Sequence, residues 1–259
     1  MGKLEYKVPT LAPGPVKKEI MQCLRDIALD EQNIRYYEYS DGIITGCKLY
    51  EENMKIGLVN GIIKFGGRLY KLMEKASVPY EPTDDWTVLK VRFSPQVQHR
   101  EYTIFTAELV LDVNTEIRPN ELEMGRFKLK HGSYLRTEYK DFWDMGTEYD
   151  TVNLLHVRQA ARVAATLCPE ITMHFAREAY RHCQDNAMDM AFCSICLATG
   201  EAVSREVIQR YVCARNGQEY KEMDNGGLHR SLAEILDKIT GRDRRDKGRG
   251  KAAGVMVIN

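Results

Sequence analysis

The residues best suited to hold a metal ion lie close together in the second half of the chain. They are two histidines and three cysteines: His174, His182, Cys183, Cys193 and Cys196. Thiolate and imidazole are the ligands of structural zinc sites. The apolar spacing around them is that of a helix, however, on which Cys183 and Cys193 lie about 15 Å apart along the axis. Unless Asp185-Asn186 breaks that helix, one metal ion cannot reach both, and we therefore predict buried thiols without a metal or any other cofactor.

Motifs for catalysis are missing from the sequence. It contains neither GxxxxGK[ST] nor a GxGxxG between a strand and a helix, so it lacks the phosphate loop that an ATP-driven motor needs. Gly-x-Ser-x-Gly and HExxH do not occur either. His131 follows a predicted strand, but no nucleophile with a recognisable setting accompanies it. We therefore expect a structural or binding protein and not an enzyme.

Composition indicates a folded chain with room for one large domain or two small ones. The 259 residues are 44% hydrophobic and 29% charged, and Lys+Arg and Asp+Glu both number 37. A chain without net charge has no global positive field for wrapping nucleic acid. No apolar run approaches the ~20 residues of a membrane span, and the N-terminus lacks the apolar core of a signal peptide. Six of the seven cysteines lie among apolar residues, which fits a reducing compartment, and we expect synthesis in the bacterial cytoplasm.

Charge is uneven only near the C-terminus. The stretch RDRRDKGRGK holds six basic and two acidic residues, which gives it a charge of +4. Its glycines and lack of apolar residues predict a flexible basic tail over residues 242–259. The alternative to a solvated end is a nucleic-acid-associated accessory protein that uses these cations: Arg242, Arg244, Arg245, Lys247, Arg249 and Lys251.

The apolar pattern predicts an α+β chain whose β part precedes its helical part. Residues 1–35 form an N-terminal arm with one helix, and residues 36–133 form an antiparallel β domain, a small sandwich or barrel of five to eight strands. Asn-Gly and Gly-Gly between its short runs predict hairpin turns. A junction follows over residues 134–150. Residues 151–241 form a helical bundle of about four helices, which begins with Ala- and Leu-rich Thr151–Leu167 and continues from Pro169.

Two segments of the β part resemble a known family. The runs SDGIITGC (Ser40–Cys47) and GIIKFGGRLY (Gly61–Tyr70) are similar to a pattern near the N-terminus of tail and baseplate-associated proteins of Gram-positive prophages and phage-tail-like particles. The resemblance covers about residues 4–153. It implies a non-enzymatic component that assembles into a tail or tail-like particle with other tail or baseplate proteins. Relatives of this kind are sometimes labelled helicases, which the missing phosphate loop does not support.

The predicted contact surface consists of hairpin tips and aromatic residues of the junction. The tips are Asn53, Asn60, Gly61, Gly66 and Gly67, and the aromatics are Phe142, Trp143 and Tyr149. Short strands with tight turns expose edges and loops that can dock on neighbours. For the aromatics, packing between sheet and helices is the competing interpretation. We expect partners among tail or baseplate proteins, leave self-association open, and do not expect nucleic acid.

Overall fold

The computed structural model describes residues 18–100 and 103–242, except the side chains of residues 27–29. The described residues divide into two compact units, one that ends at Tyr39 and one that begins at Ser40. The first contains α1 (Lys18–Tyr36), which confirms the helix predicted for the N-terminal arm and carries exposed Met21 and Ile34. The second contains every described strand and the remaining helices. The chain is therefore mixed α+β, and none of its described helices is long and apolar enough to cross a membrane.

Antiparallel pairing joins the described strands into three three-stranded sheets and a two-stranded ribbon. Their orders are β1-β4-β5, β2-β3-β6, β10-β7-β11 and β8-β9. The strands are β1 (Gly42–Gly46), β2 (Leu49–Glu52), β3 (Lys55–Leu58), β4 (Gly61–Phe65), β5 (Arg68–Leu72), β6 (Ala76–Pro79), β7 (Trp86–Phe93), β8 (Val97–Gln98), β9 (Thr103–Ile104), β10 (Ala107–Asp112) and β11 (Glu121–Lys128). β7 is buried along almost its whole length because it lies between β10 and β11.

Two of the predicted turns close hairpins and a third does not. Asn53 and Met54 both have positive φ between β2 and β3, and Gly66-Gly67 joins β4 to β5. The hairpin predicted at Asn60-Gly61 is wrong. β3 pairs with β2 and β6, whereas β4 pairs with β1 and β5, so the chain passes there from one sheet to another. Asn60 and Gly61 are therefore part of a crossover, and neither is a hairpin tip.

Residues 151–167 are not helical, which corrects the helix predicted there. The segment pairs with β1 instead: the N–H of Ile43 donates to the Arg158 carbonyl, and the N–H of Ala160 donates to the Ile43 carbonyl. Several of its apolar residues, including Val152 and Leu154, are buried. Ala and Leu favour a helix locally, but pairing with β1 holds this segment in an extended conformation. Its apolar composition is explained by burial of the extended segment.

Four helices follow this segment: α2 (Pro169–Ala179), α3 (Ala187–Thr199), α4 (Arg205–Arg215) and α5 (Asn225–Thr240). Proline at the first position suits the start of α2 because its missing N–H would have no partner there. The helix does break near Asp185-Asn186, the exception that the sequence left open, so the 15 Å separation expected for Cys183 and Cys193 on one continuous helix does not apply. The Asn186 side chain caps α3 by accepting from the N–H groups of Met188 and Asp189. One buried hydrophobic cluster contains residues from both sheets and helices, from Ile43 to Leu236.

Candidate interaction site

The two segments that carry the family resemblance are joined by a hydrogen bond. The carboxylate of Asp41 accepts from the N–H of Gly66, with N···O distances of 3.1 and 3.2 Å to its two oxygens. Gly46 has a φ of +67°, and a Cβ at this position would overlap the Asn60 carbonyl oxygen. The aspartate and glycine positions of these two segments are therefore needed to form the β1-β4-β5 sheet. The Gly66-Gly67 turn lies at the end of this sheet.

An open groove of about 450 Å³ lies beside this turn. The rings of Phe65 and Phe93 stack with centroids 3.9 Å apart, and Tyr70 meets Phe93 edge-on at 4.7 Å. The Arg68 guanidinium lies 4.0 Å from the centroid of the Phe105 ring. None of the described residues that line the groove is acidic. We call this surface, formed by Phe65, Arg68, Tyr70, Phe93 and Phe105, the aromatic groove.

Of the five predicted tip residues, only Gly66 lines the aromatic groove, and Gly67 is exposed next to it. Asn53 is exposed on the β2–β3 turn, which belongs to another sheet, and Asn60 is exposed in the crossover. Gly61 is half-buried, because its α-carbon packs against Cys47 so closely that a Cβ would overlap the Cys47 amide nitrogen. Contact with a partner at any of these positions stays a prediction.

The junction aromatics have different environments. Phe142 is 0% exposed, and its ring stacks on His229 with centroids 4.6 Å apart. A side chain without exposed surface cannot contact a partner, so Phe142 belongs to the core and the competing packing interpretation holds for it. Trp143 is half-buried beneath the Arg242 guanidinium, which lies 4.1 Å from its ring centroid. Tyr149 is 39% exposed, with the Lys130 ammonium 4.5 Å from its ring centroid.

The five candidate metal ligands do not form one cluster in the part of the chain that is described. Cys183, Cys193 and Cys196 are buried, as predicted, and burial raises the pKa of the Cys196 thiol to about 12. A group of three or more possible metal ligands is absent from the described residues. His174 and His182 instead line a cavity of about 370 Å³ whose other lining residues are Lys140, Asp141, Arg177, Glu178, Arg181 and Thr240.

Of the predicted tail cations, Arg242 alone lies within the described ranges. One guanidinium nitrogen lies 3.7 Å from the Asp141 carboxylate, beside the cavity of His174 and His182. The other five lie outside the described residues: Arg244, Arg245, Lys247, Arg249 and Lys251.

A buried ammonium group in the middle of β7 was not predicted from the sequence. Lys90 is 0% exposed, and its Nζ donates to the carbonyl oxygens of Asn114 and Glu116, both at 2.8 Å. It also lies 3.2 Å from an Asp112 carboxylate oxygen and 3.4 Å from one of Glu121. Buried charges need such partners. The loop after β10 thus wraps around a cation that the protein itself supplies.

The carboxylates of this network have lowered pKa values. For Asp112, the hydrogen bond from the Asn114 N–H is the main cause, and the interaction with Lys90 adds to it. For Glu121, burial alone would raise the pKa, but hydrogen bonds from the Arg118 N–H and from Arg92, together with the Lys90 charge, lower it overall. The sequence signal for this network is a lysine in the centre of a strand whose residues, apart from Thr87 and Arg92, are otherwise apolar.

No protein-family model and no curated protein matches this chain. Two solved structures show a distant likeness. One is a crystal structure of TssK, with a TM-score of 0.36 and 8% identity over 89% of this chain and 67% of that chain. The other is the cryo-electron microscopy structure of the type VI secretion system TssK-TssF-TssG baseplate subcomplex, with a TM-score of 0.38 and 8% identity over 91% of this chain and 99% of that chain.

Proposed function

We propose that this protein is a non-enzymatic structural component of a phage tail, baseplate or phage-tail-like particle, and that it acts through protein–protein contacts. The resemblance of residues 40–47 and 61–70 to proteins of such particles supports the proposal. The observation that carries it is the aromatic groove, which lies beside the turn that these two segments build. Aromatic residues and arginine are the side chains that dominate the energy of protein interfaces.

The composition of the aromatic groove defines the partner that fits it. Its surface offers aromatic rings for an apolar anchor and one cation, Arg68, and none of the described residues that line it is acidic. The Arg68 guanidinium donates to the Gly66 carbonyl at 3.3 Å, which holds the charge over the turn. A segment of a neighbouring particle protein that carries an apolar side chain next to Asp or Glu is complementary to this surface.

The test compares two charge reversals on the same strand. Tagged protein is produced in the bacterium that makes the particle, particles are isolated by sedimentation, and the tagged protein in them is measured by immunoblotting. We expect Arg68→Glu to lower incorporation about tenfold, since losing one central contact commonly costs more than ~1.4 kcal/mol. Lys71→Glu, at an exposed position of β5 outside the groove, should incorporate like the wild type.

Two outcomes would contradict the proposal at different levels. Absence of the wild-type protein from purified particles would overturn the particle function itself. Normal incorporation of Arg68→Glu, with the wild type present in particles, would overturn the aromatic groove as the contact surface and leave the particle function standing.

A second candidate is the nucleic-acid-associated accessory protein, which three cations in the cavity of His174 and His182 favour. Lys140, Arg177 and Arg181 line this cavity together with Asp141, Glu178 and Thr240, and the basic tail follows Thr240, the last residue of α5, in the sequence. Fluorescence anisotropy with a labelled oligonucleotide tests this candidate. If this candidate is correct, the affinity for the oligonucleotide falls steeply as the salt concentration rises. The affinity should also fall in Arg177→Ala/Arg181→Ala but not in Arg210→Ala. Salt-insensitive binding, or none, contradicts it.

A further inference from the structure

A partly enclosed cavity of about 180 Å³ lies between β1, β2 and the first turn of α2. Most of its wall is apolar and includes Leu49, Met124, Leu154, Val157 and Met173. An apolar cavity of about 150 Å³ is large enough to bind benzene, and it stays dry when empty because water finds no polar partners there. The size and lining of this cavity therefore suit one apolar group of that size.

The backbone on one side of the cavity has an unusual conformation. Gly46 and Cys47, which both line it, have φ values of +67° and +53°. Positive φ at a residue other than glycine is uncommon, and such strained positions cluster at binding sites. The bend takes the chain from β1 into β2 along the cavity wall. Burial raises the pKa of the Cys47 thiol to about 11, so this thiol is uncharged at neutral pH.

Three charged side chains line the cavity as well. Glu170 and Glu201 supply two carboxylates, and Lys48 supplies one ammonium group. Burial raises the pKa of Glu170, while the charges of Lys48, His174 and Arg177 partly oppose the shift. Within the described ranges, the Glu170 carboxylate makes no hydrogen bond. The cavity lining thus combines an apolar wall with two carboxylates, one ammonium group and an available acceptor.

We propose that this cavity binds an apolar group of about the size of benzene that carries a positive charge. The apolar part fills the space among Met124, Leu154 and Met173, and the cation lies against Glu170 and Glu201. This chemistry can come from a free organic amine, or from a hydrophobic side chain next to a basic residue on another protein. The proposal does not depend on the particle function, because it rests on the cavity alone.

Nuclear magnetic resonance of the full chain with 13C-methyl methionine tests the proposal. Met124 and Met173 line the cavity, whereas Met145 is buried elsewhere and Met188 is exposed, so the last two are internal controls. Benzylamine, toluene and benzoate are added as probes, and resonances are assigned by single Met→Leu substitutions. We expect benzylamine to shift the Met124 and Met173 signals saturably and to leave the controls unchanged. Toluene should bind more weakly, and benzoate least.

Two variants separate the charge from the shape of the cavity. Glu170→Gln should lower benzylamine affinity about fivefold, as expected for one partly screened ion pair, without changing toluene binding. The matched control Glu206→Gln, at an exposed position of α4 outside the cavity, should change neither. Met173→Trp fills the space and should abolish binding of both probes. If it fails to fold, Glu170→Gln still tests the charge.

The outcomes are distinguishable. Tighter binding of acetyl-Phe-Arg-amide than of benzylamine supports a protein segment as the natural occupant, and the reverse order supports a free amine. If benzylamine at millimolar concentrations leaves the Met124 and Met173 signals unshifted, the site is overturned. Equal binding of benzoate and benzylamine overturns the charge selectivity.

Discussion

Replacing Lys90 with methionine tests how much the buried charge network contributes to stability. Methionine keeps most of the apolar stem but removes the ammonium, so the carboxylates of Asp112 and Glu121 lose their shared cation. Removing one partner of a buried ion pair costs about 3–5 kcal/mol because the other charge stays buried. Arg92 lies 2.9 Å from Glu121 and 3.7 Å from Asp112 and still compensates both in part. We therefore expect the low end, about 3 kcal/mol.

Equilibrium denaturation in urea, followed by tryptophan fluorescence, measures this loss. Trp86 lies on the same strand as Lys90, so its emission reports on the unfolding of that sheet. Lys71→Met, at an exposed position of β5, is the matched control and should change the free energy of unfolding by less than about 0.5 kcal/mol. A loss below about 1 kcal/mol for Lys90→Met would refute the reasoning, because the cation would then contribute no more than an exposed ion pair.

The pH dependence of the stability difference between wild type and Lys90→Met is a second test of the network. The pKa values of Asp112 and Glu121 are lowered in the folded state, so their stabilising contribution is present above the unfolded pKa values. It is lost as the pH falls through the folded values, where the carboxylates take up protons. The stability difference between wild type and Lys90→Met should therefore be full near neutral pH and shrink below about pH 4. A difference that grows on acidification would contradict this sign.

Backbone and capping variants give two further predictions by the same assay. Gly46→Ala should lower the free energy of unfolding by at least about 2 kcal/mol, because the new Cβ overlaps the Asn60 carbonyl and the φ is unfavourable. Gly217→Ala, where φ is +62° and the space is open, should lower it by only about 1 kcal/mol. Equal losses would contradict the overlap. Asn186→Ala should cost about 1 kcal/mol through the lost α3 cap. Ser204→Ala should be nearly neutral, since the Ser204 side chain makes no capping bond, and a loss as large as that of Asn186→Ala would argue against the cap.

The sequence predicts an element correctly where neighbouring residues alone determine its structure. β7 lies within the predicted β domain, and its largely apolar run ends at polar residues on both sides. The Gly66-Gly67 turn is where the positive φ that glycine tolerates was expected. The crossover at Asn60-Gly61 has the same local signal as a hairpin. A crossover and a hairpin differ here only in the strands that pair with β3 and β4. Those strands are distant in the sequence and do not change the residue types of the turn.

The candidate site was predicted in part for the same reason. Its turn could be located from the glycines, but the aromatic groove also needs Phe93 from β7 and Phe105 from the segment before β10. Residues 151–167 failed as a prediction because Ala and Leu favour helices locally, while the pairing partner of this segment is β1, far away in the chain. The Lys90 network could not be predicted, because the partners of Lys90 come from β10, from the loop after β10 and from β11.

The pairing of β1 with residues 158–160 has a consequence for the order in which the protein folds during synthesis. Ala161 hydrogen-bonds to Ser40 at the start of this pairing, and the two residues are 121 positions apart. At about 5–20 residues per second, a ribosome needs roughly 6 to 24 s to add that length. Throughout this interval one edge of β1 has no strand to pair with, and open edges recruit other chains. Newly made chains should therefore be most prone to aggregate before residue 161 emerges, and slower translation of that region should lower the soluble yield.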